Sequence, residues 1–442
     1  MSEQHLEPGS AFPKKPIDRL LLPLERFLHV EAASGIILLL CTILALTLAN
    51  SPFGESYEAI WQTKVGFQFG GFEMVHKLRH WINDGLMVIF FFVIGLEVKR
   101  ELVSGELREF RRAALPLLAA LGGMVVPAGI FLSLQAGTPA EAGWGIPMAT
   151  DIAFVVGCMA LLGPRVPRGL RVLILSLAIA DDIGAILVIA IGYTEELSLE
   201  YLLVALLLVA LVLLFQRSGI RSFGVYAATG GVIWYFFHES GIHATLAGVI
   251  LGLLTPATAY LDTSVVGRFL KRTGDVLHGD WESLPDKAVR VRAVQQLSRE
   301  TVSPLSYLEN ALHPWVSYLI MPVFALANAG VEFTLGDLAS PVALAVALGL
   351  LIGKPVGIVL FSAIAVRAGI AALPSGVSWS ILAGGAALAG IGFTMALFIA
   401  GLALEGEPLS AAKVGILLGS GIAAVMGMLL LSTVAKRRPE EA

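Results

Sequence analysis

Long runs of apolar residues alternate with short polar stretches along most of the chain. A helix needs about 20 mostly apolar residues to cross the hydrocarbon core of a bilayer, so these runs predict membrane-spanning helices. Twelve spans are predicted, at 30–50, 81–96, 113–134, 143–162, 170–193, 199–215, 222–237, 242–255, 312–330, 341–366, 379–403 and 410–434. The pattern therefore predicts an all-α polytopic membrane protein whose transmembrane domain occupies residues 30–435.

Lys and Arg residues gather in alternate connections between these spans. One side of the membrane receives 25 of them and the other side only three, which are Lys64, Lys77 and Arg79. Because loops rich in Lys and Arg stay in the cytoplasm, both termini are predicted to be cytoplasmic. Residues 1–29 and 436–442 are the cytoplasmic end segments in this prediction.

Two connections are long enough to form structure of their own. Residues 51–80 contain the β-like stretch KVGFQF followed by a Gly-Gly turn, which predicts a hairpin on the outer side that can add strands to a partner copy. Residues 256–311 form a cytoplasmic loop. The second half of this loop predicts an amphipathic helix, broken by Pro304, on the inner surface of the membrane.

The composition agrees with a membrane protein. Hydrophobic residues make up 56% of the chain and charged residues 14%, against about 25% charged residues in soluble proteins, and mean hydropathy is +0.80. The net charge of −4 does not indicate a nucleic-acid partner, because the positions of the charges matter here rather than their sum. Cys41 and Cys158 fall in apolar segments, so no disulfide framework, metal site or cofactor is expected from them.

The stretch SLAIADDIGAILVIA places Asp181 and Asp182 in the middle of an otherwise apolar span. Each central aspartate costs about 2.5–3.5 kcal/mol on insertion, while the twelve Leu, Ile and Val residues between 172 and 191 together return about 4–7 kcal/mol. These contributions nearly cancel, so the two carboxylates indicate a functional site. Two carboxylates this close titrate as a coupled pair, and protons then compete with Na+ for the same oxygens.

Three other spans carry residues that suit an ion site. Thr150 and Asp151 follow a proline in a span that the pattern predicts to be partly unwound, which frees carbonyl oxygens for a hard cation. Lys354 lies mid-span, where an ammonium group needs a carboxylate partner or must lose its proton. Gly390 and Gly392 interrupt a further span. Interrupted helices in both halves of a chain are typical of inverted-repeat transporters, with the site where the breaks meet.

A charged cluster, GLEVKREL, lies at the cytoplasmic end of the second predicted span. In this cluster the i, i+3 and i+4 spacing of Glu97, Arg100 and Glu101 allows mutual pairing. On spacing alone, an ordinary solvated helix end is the alternative interpretation.

Six stretches closely resemble the NhaA family of bacterial Na+/H+ antiporters: MATDIAF, LAIADDIGAI, IGKPVGI, AGIGFTMALFIAGLA, HWINDGLMVIFFFVIGLEVKREL and HATLAGVI. The resemblance covers roughly residues 30 to 435. It implies a twelve-helix protein of the bacterial inner membrane, built from inverted-topology repeats with two crossed broken helices. It also implies a homodimer formed through the 51–80 hairpin, and an electrogenic, pH-regulated exchange of cytoplasmic Na+ or Li+ for external H+.

The same resemblance implies roles for individual residues. The cation and proton site comprises Asp182 as the principal ligand, Asp181 beside it, Thr150 and Asp151 lining the crossing, and Lys354 compensating charge. Regulation by pH is implied for Glu97, Arg100, Glu101 and Glu309. Weaker candidates are Asp84, His243 and His313. The chain departs from the family pattern at Asn310, where relatives often carry histidine.

Other classes of membrane protein also use intramembrane acids. An intramembrane aspartyl protease needs its aspartates on separate helices with a Gly-x-Gly-Asp pattern, and the sequence lacks that pattern. A membrane prenyltransferase needs Asp-rich Mg2+ motifs, whereas DDIGA lacks the third aspartate. These comparisons indicate a transporter rather than an enzyme. An inverted-repeat carrier that moves an organic anion with Na+ is the alternative that remains open.

Overall fold

The computed structural model describes residues 31–70, 72–193, 197–220, 222–259, 302–332, 336 and 339–434. The described chain is mostly helical. Its α-helices are α1 (Glu31–Ala49), α2 (Gly54–Gln62), α3 (Leu78–Ser104), α4 (Phe110–Gln135), α5 (Ile152–Leu162), α6 (Arg168–Gly192), α7 (Leu199–Arg217), α8 (Phe223–Glu239), α9 (Thr245–Leu254), α10 (Pro304–Trp315), α11 (Met321–Asn328), α12 (Pro341–Arg367), α13 (Trp379–Ala389), α14 (Phe393–Ala403) and α15 (Gly406–Val434).

Shorter elements interrupt or join these helices. Turns of 3₁₀-helix cover Glu106–Arg108, Glu141–Met148 and Gly163–Arg165. Wider π-helical turns cover Trp81–Leu86 in α3, Val316–Ile320 between α10 and α11, and Gly349–Gly353 in α12. Two antiparallel strands, β1 (Lys64–Phe69) and β2 (Phe72–Lys77), pair from Lys64 opposite Lys77 to Phe69 opposite Phe72.

Several helices are long and apolar enough to cross a bilayer. Within the described ranges there are seven such helices, or up to nine if the bent pairs α1–α2 and α13–α14 each count as one span. The chain is therefore a multi-pass membrane protein by length and composition, and the total of twelve spans stays a prediction. Burial separates central from peripheral helices. In the apolar 18-residue stretch of each helix, 67% of α6 is buried but only 11% of α7.

Glycines allow α4 and α12 to approach until their backbones touch. A Cβ atom added to Gly122 would lie 2.2 Å from the carbonyl oxygen of Gly357, and one added to Gly357 would lie 2.0 Å from the carbonyl oxygen of Gly122. In a membrane, where apolar burial does not distinguish a neighbouring helix from lipid, close backbone packing of this kind holds helices together. The contact fixes α12, and with it Lys354, against α4.

The helix that follows the large loop differs from its prediction. The sequence pattern predicted an amphipathic helix broken by Pro304, but α10 begins at Pro304 and continues through the Val316–Ile320 turn into α11. Proline suits the first turn of a helix because its missing N–H has no partner there, and the Ser303 side chain caps this end by accepting from the Ser306 N–H. Glu309 therefore lies on an ordered helix. Residues 260–301, with most of the predicted amphipathic segment, and the end segments 1–29 and 436–442 lie outside the described residues.

A buried ionisable site between two interrupted helices

The first interruption lies between the Glu141–Met148 turn and α5. Ala149 and Asp151 have extended backbone angles, with ψ of 148° and 97°, so the chain is unwound at 149–151. Asp151 then caps α5, because its Oδ1 accepts a hydrogen bond from the Phe154 N–H at 3.1 Å. The predicted unwinding around Thr150 and Asp151 is therefore present in the structure.

The second interruption lies between α13 and α14, which meet at an angle of 47°. Gly390 and Gly392 are the glycines of this break, and both are packed tightly. A Cβ atom on Gly390 would lie 2.6 Å from the Leu350 carbonyl oxygen, and one on Gly392 would lie 3.1 Å from the Ala149 carbonyl oxygen. These positions need glycine because the backbones of α12 and of the first break come too close for a side chain.

The two interruptions lie against each other and satisfy each other's polar groups. The Asp151 N–H donates to the Ile391 carbonyl at 2.7 Å. In return, the Asp151 carboxylate accepts from the Thr394 N–H at 3.1 Å and from the Thr394 hydroxyl. Because an unpaired peptide group is costly inside a membrane, each break is stabilised by the other.

Asp181 and Lys354 form a fully buried ion pair beside these breaks. The Lys354 Nζ lies 2.6 Å from Asp181 Oδ2, and neither side chain has any exposed surface. Lys354 also donates to the Met148 carbonyl at the end of the 3₁₀ turn, and the Thr150 hydroxyl donates to Asp181 Oδ2 at 2.6 Å. The same hydroxyl lies 3.1 Å from the Ala389 carbonyl oxygen. The pair thus joins α6 and α12 to both unwound segments.

Asp182 differs from its neighbour, although it is also buried with 4% of its surface exposed. Among the described residues, its carboxylate makes neither a hydrogen bond nor a salt bridge. A buried carboxylate without a partner is stable only if it takes up a proton or binds a cation. Adjacent helical residues point about 100° apart, which explains how Asp181 engages Lys354 while Asp182 stays unpartnered.

The charged cluster on α3 has a partner on another helix. The spacing of Glu97, Arg100 and Glu101 allows mutual pairing, and in the structure Arg100 Nη1 contacts Glu309 Oε1 at 2.5 Å, 209 residues away. Glu101 instead accepts from the Ser176 hydroxyl at 3.1 Å and from the Glu106 N–H at 2.9 Å. The tertiary contact between α3 and α10 thus replaces the local one.

Among the described residues, the weaker candidates make no hydrogen bond or ion pair with Asp181 or Lys354. Asp84 faces His80, with 3.5 Å between Oδ2 and Nε2. His243 contacts the Thr245 hydroxyl through Nδ1 at 2.6 Å, and its ring packs edge-on against Phe398, as a structural histidine does. His313 lies in the last turn of α10.

Thr394 is the site residue that the sequence analysis missed. It lies within the quoted AGIGFTMALFIAGLA stretch, and it is the one hydroxyl residue in α14. Its position two residues after Gly392 was the available signal, since a polar side chain beside a helix break can reach the freed groups of a neighbouring segment. Ser176, which lies on α6 with Asp181 and contacts Glu101, was also missed.

Buried charges between two interrupted helices of a multi-pass protein are typical of the class of secondary transporters. Comparison with known proteins narrows the class. The model of the family described as Na+/H+ antiporter 1 matches residues 25–431. The chain therefore belongs to this family of transporters. This membership does not favour the alternative interpretation as a carrier of an organic anion with Na+.

Individual relatives agree along nearly their whole length. The Na(+)/H(+) antiporter NhaA of Rhodopirellula baltica is 56% identical over 437 residues, covering 98% of this chain and 99% of the relative. The protein of the same name from Rhizobium meliloti is 51% identical, covering 96% of this chain and 97% of its own. The Na(+)/H(+) antiporter NhaA 1 of Acidiphilium cryptum is 47% identical, with 99% and 98% covered.

Proposed function

We propose that this chain exchanges Na+ for H+ by letting the two ions compete for the buried carboxylate of Asp182. Membership of the antiporter family supports the exchange itself. The observation that carries the site assignment is the unpartnered Asp182 carboxylate next to the Asp181–Lys354 pair, 2.6 Å between Nζ and Oδ2. A group that needs either a proton or a cation couples the two fluxes without any further device.

The residues around Asp182 suit a small hard cation. Carboxylate, hydroxyl and carbonyl oxygens are the ligands that such ions take, and Asp181, Thr150 and the unwound segment at 149–151 supply all three kinds nearby. Na+ and Li+ are therefore the proposed cargo, with H+ as the counter-ion. Lys354 compensates Asp181, so that the charge of the site changes mainly at Asp182.

The proposed direction removes cytoplasmic Na+ and admits external H+ with net movement of charge. The excess of Lys and Arg on one side supports the proposal that both termini are cytoplasmic and that the membrane is the bacterial inner membrane. Twelve spans arranged as inverted repeats, with the two interrupted helices crossing, complete the proposed architecture. The β1–β2 hairpin is the proposed contact of a homodimer, because a two-stranded sheet leaves strand edges free to pair.

A second proposal concerns regulation by pH. Glu97, Arg100, Glu101 and Glu309 lie where α3 meets α10, and the Arg100–Glu309 ion pair is only partly exposed. Protonating a carboxylate in this cluster shifts the balance between conformations without occupying the cation site. Glu101 is joined through Ser176 to α6, the helix that carries Asp182, which gives the cluster a physical route to the site.

Asp182→Asn tests the assignment, since it keeps the size of the side chain but removes its charge and titratable proton. Purified protein in proteoliposomes is expected to lose Na+-driven dequenching of an imposed pH gradient. Glu239→Gln, which removes an exposed carboxylate at the end of α8, is the matched control and is expected to keep it. Exchange by a correctly inserted Asp182→Asn protein would overturn the proposed site.

A further inference from the structure

Three histidines meet at the base of the hairpin. Among the described residues, none of them makes a hydrogen bond or an ion pair with Asp181, Asp182 or Lys354. His76 lies on β2, His80 in the first turn of α3, and His238 at the end of α8. One ligand nitrogen from each ring can be chosen so that all lie within 4.8 Å of one another. The ring centroids of His76 and His80 are 4.4 Å apart, and both lie within 5.7 Å of that of His238. We call these residues the histidine cluster.

Neighbouring hydrogen bonds hold the backbone of each of these elements in place. The Trp81 indole N–H donates to the Val65 carbonyl at 2.8 Å, and Val65 is the strand partner of His76. The Trp234 indole N–H, one helical turn before His238, donates to the Asp84 carbonyl at 3.2 Å. These two hydrogen bonds join the hairpin, the start of α3 and the end of α8 without any contribution from the three histidines.

We propose that the histidine cluster binds a divalent transition-metal ion of the Zn2+ type. Imidazole nitrogen is a preferred ligand of Zn2+, and three histidines with an open fourth position form a known type of zinc coordination. The His80 Nε2 atom is buried and makes no hydrogen bond with the described residues, and the Asp84 carboxylate lies 3.5 Å away, so this nitrogen is available to a ligand. Na+ prefers oxygen ligands, so this site is chemically distinct from the proposed cargo site.

The geometry requires only a small adjustment of side chains. A metal–nitrogen distance of about 2.0–2.1 Å places two ligand nitrogens of a tetrahedral site about 3.3 Å apart. From the 4.8 Å limit, each nitrogen must move toward the centre by less than about 1 Å, which is within the reach of a rotation about χ1 or χ2.

Asp84 is an acidic neighbour of the cluster. Its Oδ2 lies 3.5 Å from the His80 Nε2, and only 15% of its side chain is exposed. Because this carboxylate oxygen faces the nitrogen that would bind the ion, it offsets part of the cation's charge. Asp84 therefore compensates charge in this proposal, and its removal is expected to weaken metal binding without abolishing it.

A bound ion would cross-link three elements that are distant in the sequence. The proposed consequence is a more stable hairpin end of the molecule, because a ligand that binds only the folded state stabilises it by mass action. The assay uses the full-length chain without a polyhistidine tag, stripped with a chelator and then titrated calorimetrically with ZnCl2. One Zn2+ per chain and a raised melting temperature are expected.

Variants separate the cluster from other histidines. His238→Gln is expected to lose stoichiometric Zn2+ binding, and Asp84→Asn to weaken it by about 10–100-fold. His313→Gln, a histidine on α10 outside the cluster, is the matched control and is expected to bind as the parent does. Monodisperse elution and unchanged helical circular dichroism establish that each variant is folded, independently of any transport assay.

A spectroscopic readout distinguishes a built site from loose adsorption. Co2+ in place of Zn2+ is expected to give the visible absorption of a four-coordinate site with three nitrogen ligands in the parent, and this absorption is expected to be lost in His76→Gln. The proposal is overturned if the parent binds no Zn2+ at micromolar concentration. It is equally overturned if folded His76→Gln and His238→Gln proteins both keep the parent's stoichiometry and affinity.

Discussion

Replacing Lys354 by methionine tests how strongly the buried ion pair holds the site together. Methionine keeps most of the apolar stem, so the change removes the charge rather than the packing. Among the described residues, it leaves Asp181 with the Thr150 hydroxyl as its remaining donor. Because the Nζ–Oδ2 distance is 2.6 Å and both side chains are fully buried, the loss is expected to fall within the range of about 3–5 kcal/mol for breaking a buried pair.

Proton uptake sets a ceiling on this loss. Protonating an aspartic acid with the aqueous pKa of about 3.9 costs about 4 kcal/mol at pH 7 and about 3 kcal/mol at pH 6. The unpaired Asp181 in the variant takes up a proton once leaving it charged costs more than that. The destabilisation by Lys354→Met is therefore expected to shrink as the pH falls, by up to about 1.4 kcal/mol for each pH unit.

Thermal unfolding of the purified protein in detergent measures the effect. For a chain of 442 residues, a loss of 1 kcal/mol lowers the melting temperature by about 1 °C. Lys354→Met is therefore expected to melt about 3 °C below the parent at pH 6 and about 4 °C below it at pH 7. Asp181→Asn, added to Lys354→Met, is expected to recover most of this difference in melting temperature. Lys413→Met is the matched control, because Lys413 is buried on α15 and forms no ion pair with the described residues. Additive losses, to within about 0.5 kcal/mol, would refute the coupling of Lys354 with Asp181.

The remaining predictions concern regulation, voltage and packing. Glu309→Gln is expected to displace the pH profile of exchange at saturating Na+ while keeping the maximal rate. Arg100→Gln is expected to displace the profile similarly, because the two residues form one ion pair. Unchanged profiles in both variants would leave pH control to the aspartate site alone. Collapsing the membrane potential with valinomycin and K+ is expected to accelerate exchange, since moving net charge against 100 mV costs about 2.3 kcal/mol per charge, and no response would mean electroneutral exchange. Gly122→Ala is expected to lower stability by about 1–3 kcal/mol, because its Cβ would meet the Gly357 carbonyl oxygen at 2.2 Å. Gly129→Ala on the same helix is the control, because its Cβ would meet nothing within 4 Å and stability should not fall. Equal melting temperatures of the two variants would contradict the close contact.

The sequence predicted those parts of the site that are expensive to bury. An ammonium and a carboxylate inside apolar spans each need a partner, so the need of Lys354 for a carboxylate followed from cost alone, and the structure pairs it with Asp181. The unwound segment at Thr150 could also be predicted, because the polar residues follow a proline. What these features share is that the local sequence already shows an energetic problem that only one kind of contact solves.

Contacts between ordinary residues could not be predicted in the same way. Arg100 has acidic neighbours at helical spacing on α3, and nothing local reveals that Glu309 on α10 comes closer. The same holds for the histidine cluster, where His238 joins His76 and His80 only through the packing of α8 on the start of α3. Such pairings depend on how helices pack, and a periodic pattern of apolar residues describes each helix separately.

The mutual support of the two interruptions has a consequence for synthesis of the chain. Thr394 donates to the Asp151 carboxylate from 243 positions later in the sequence. At a translation rate of about 5–20 residues per second, that separation corresponds to about 12–50 s. During this interval the open peptide groups at 149–151 have been made but their partners have not, and each costs several kcal/mol if it enters lipid unpaired. Water or the insertion machinery has to hold the first break until α14 arrives, so the nascent chain is most exposed to misinsertion and proteolysis when it is about one-third to nine-tenths synthesised.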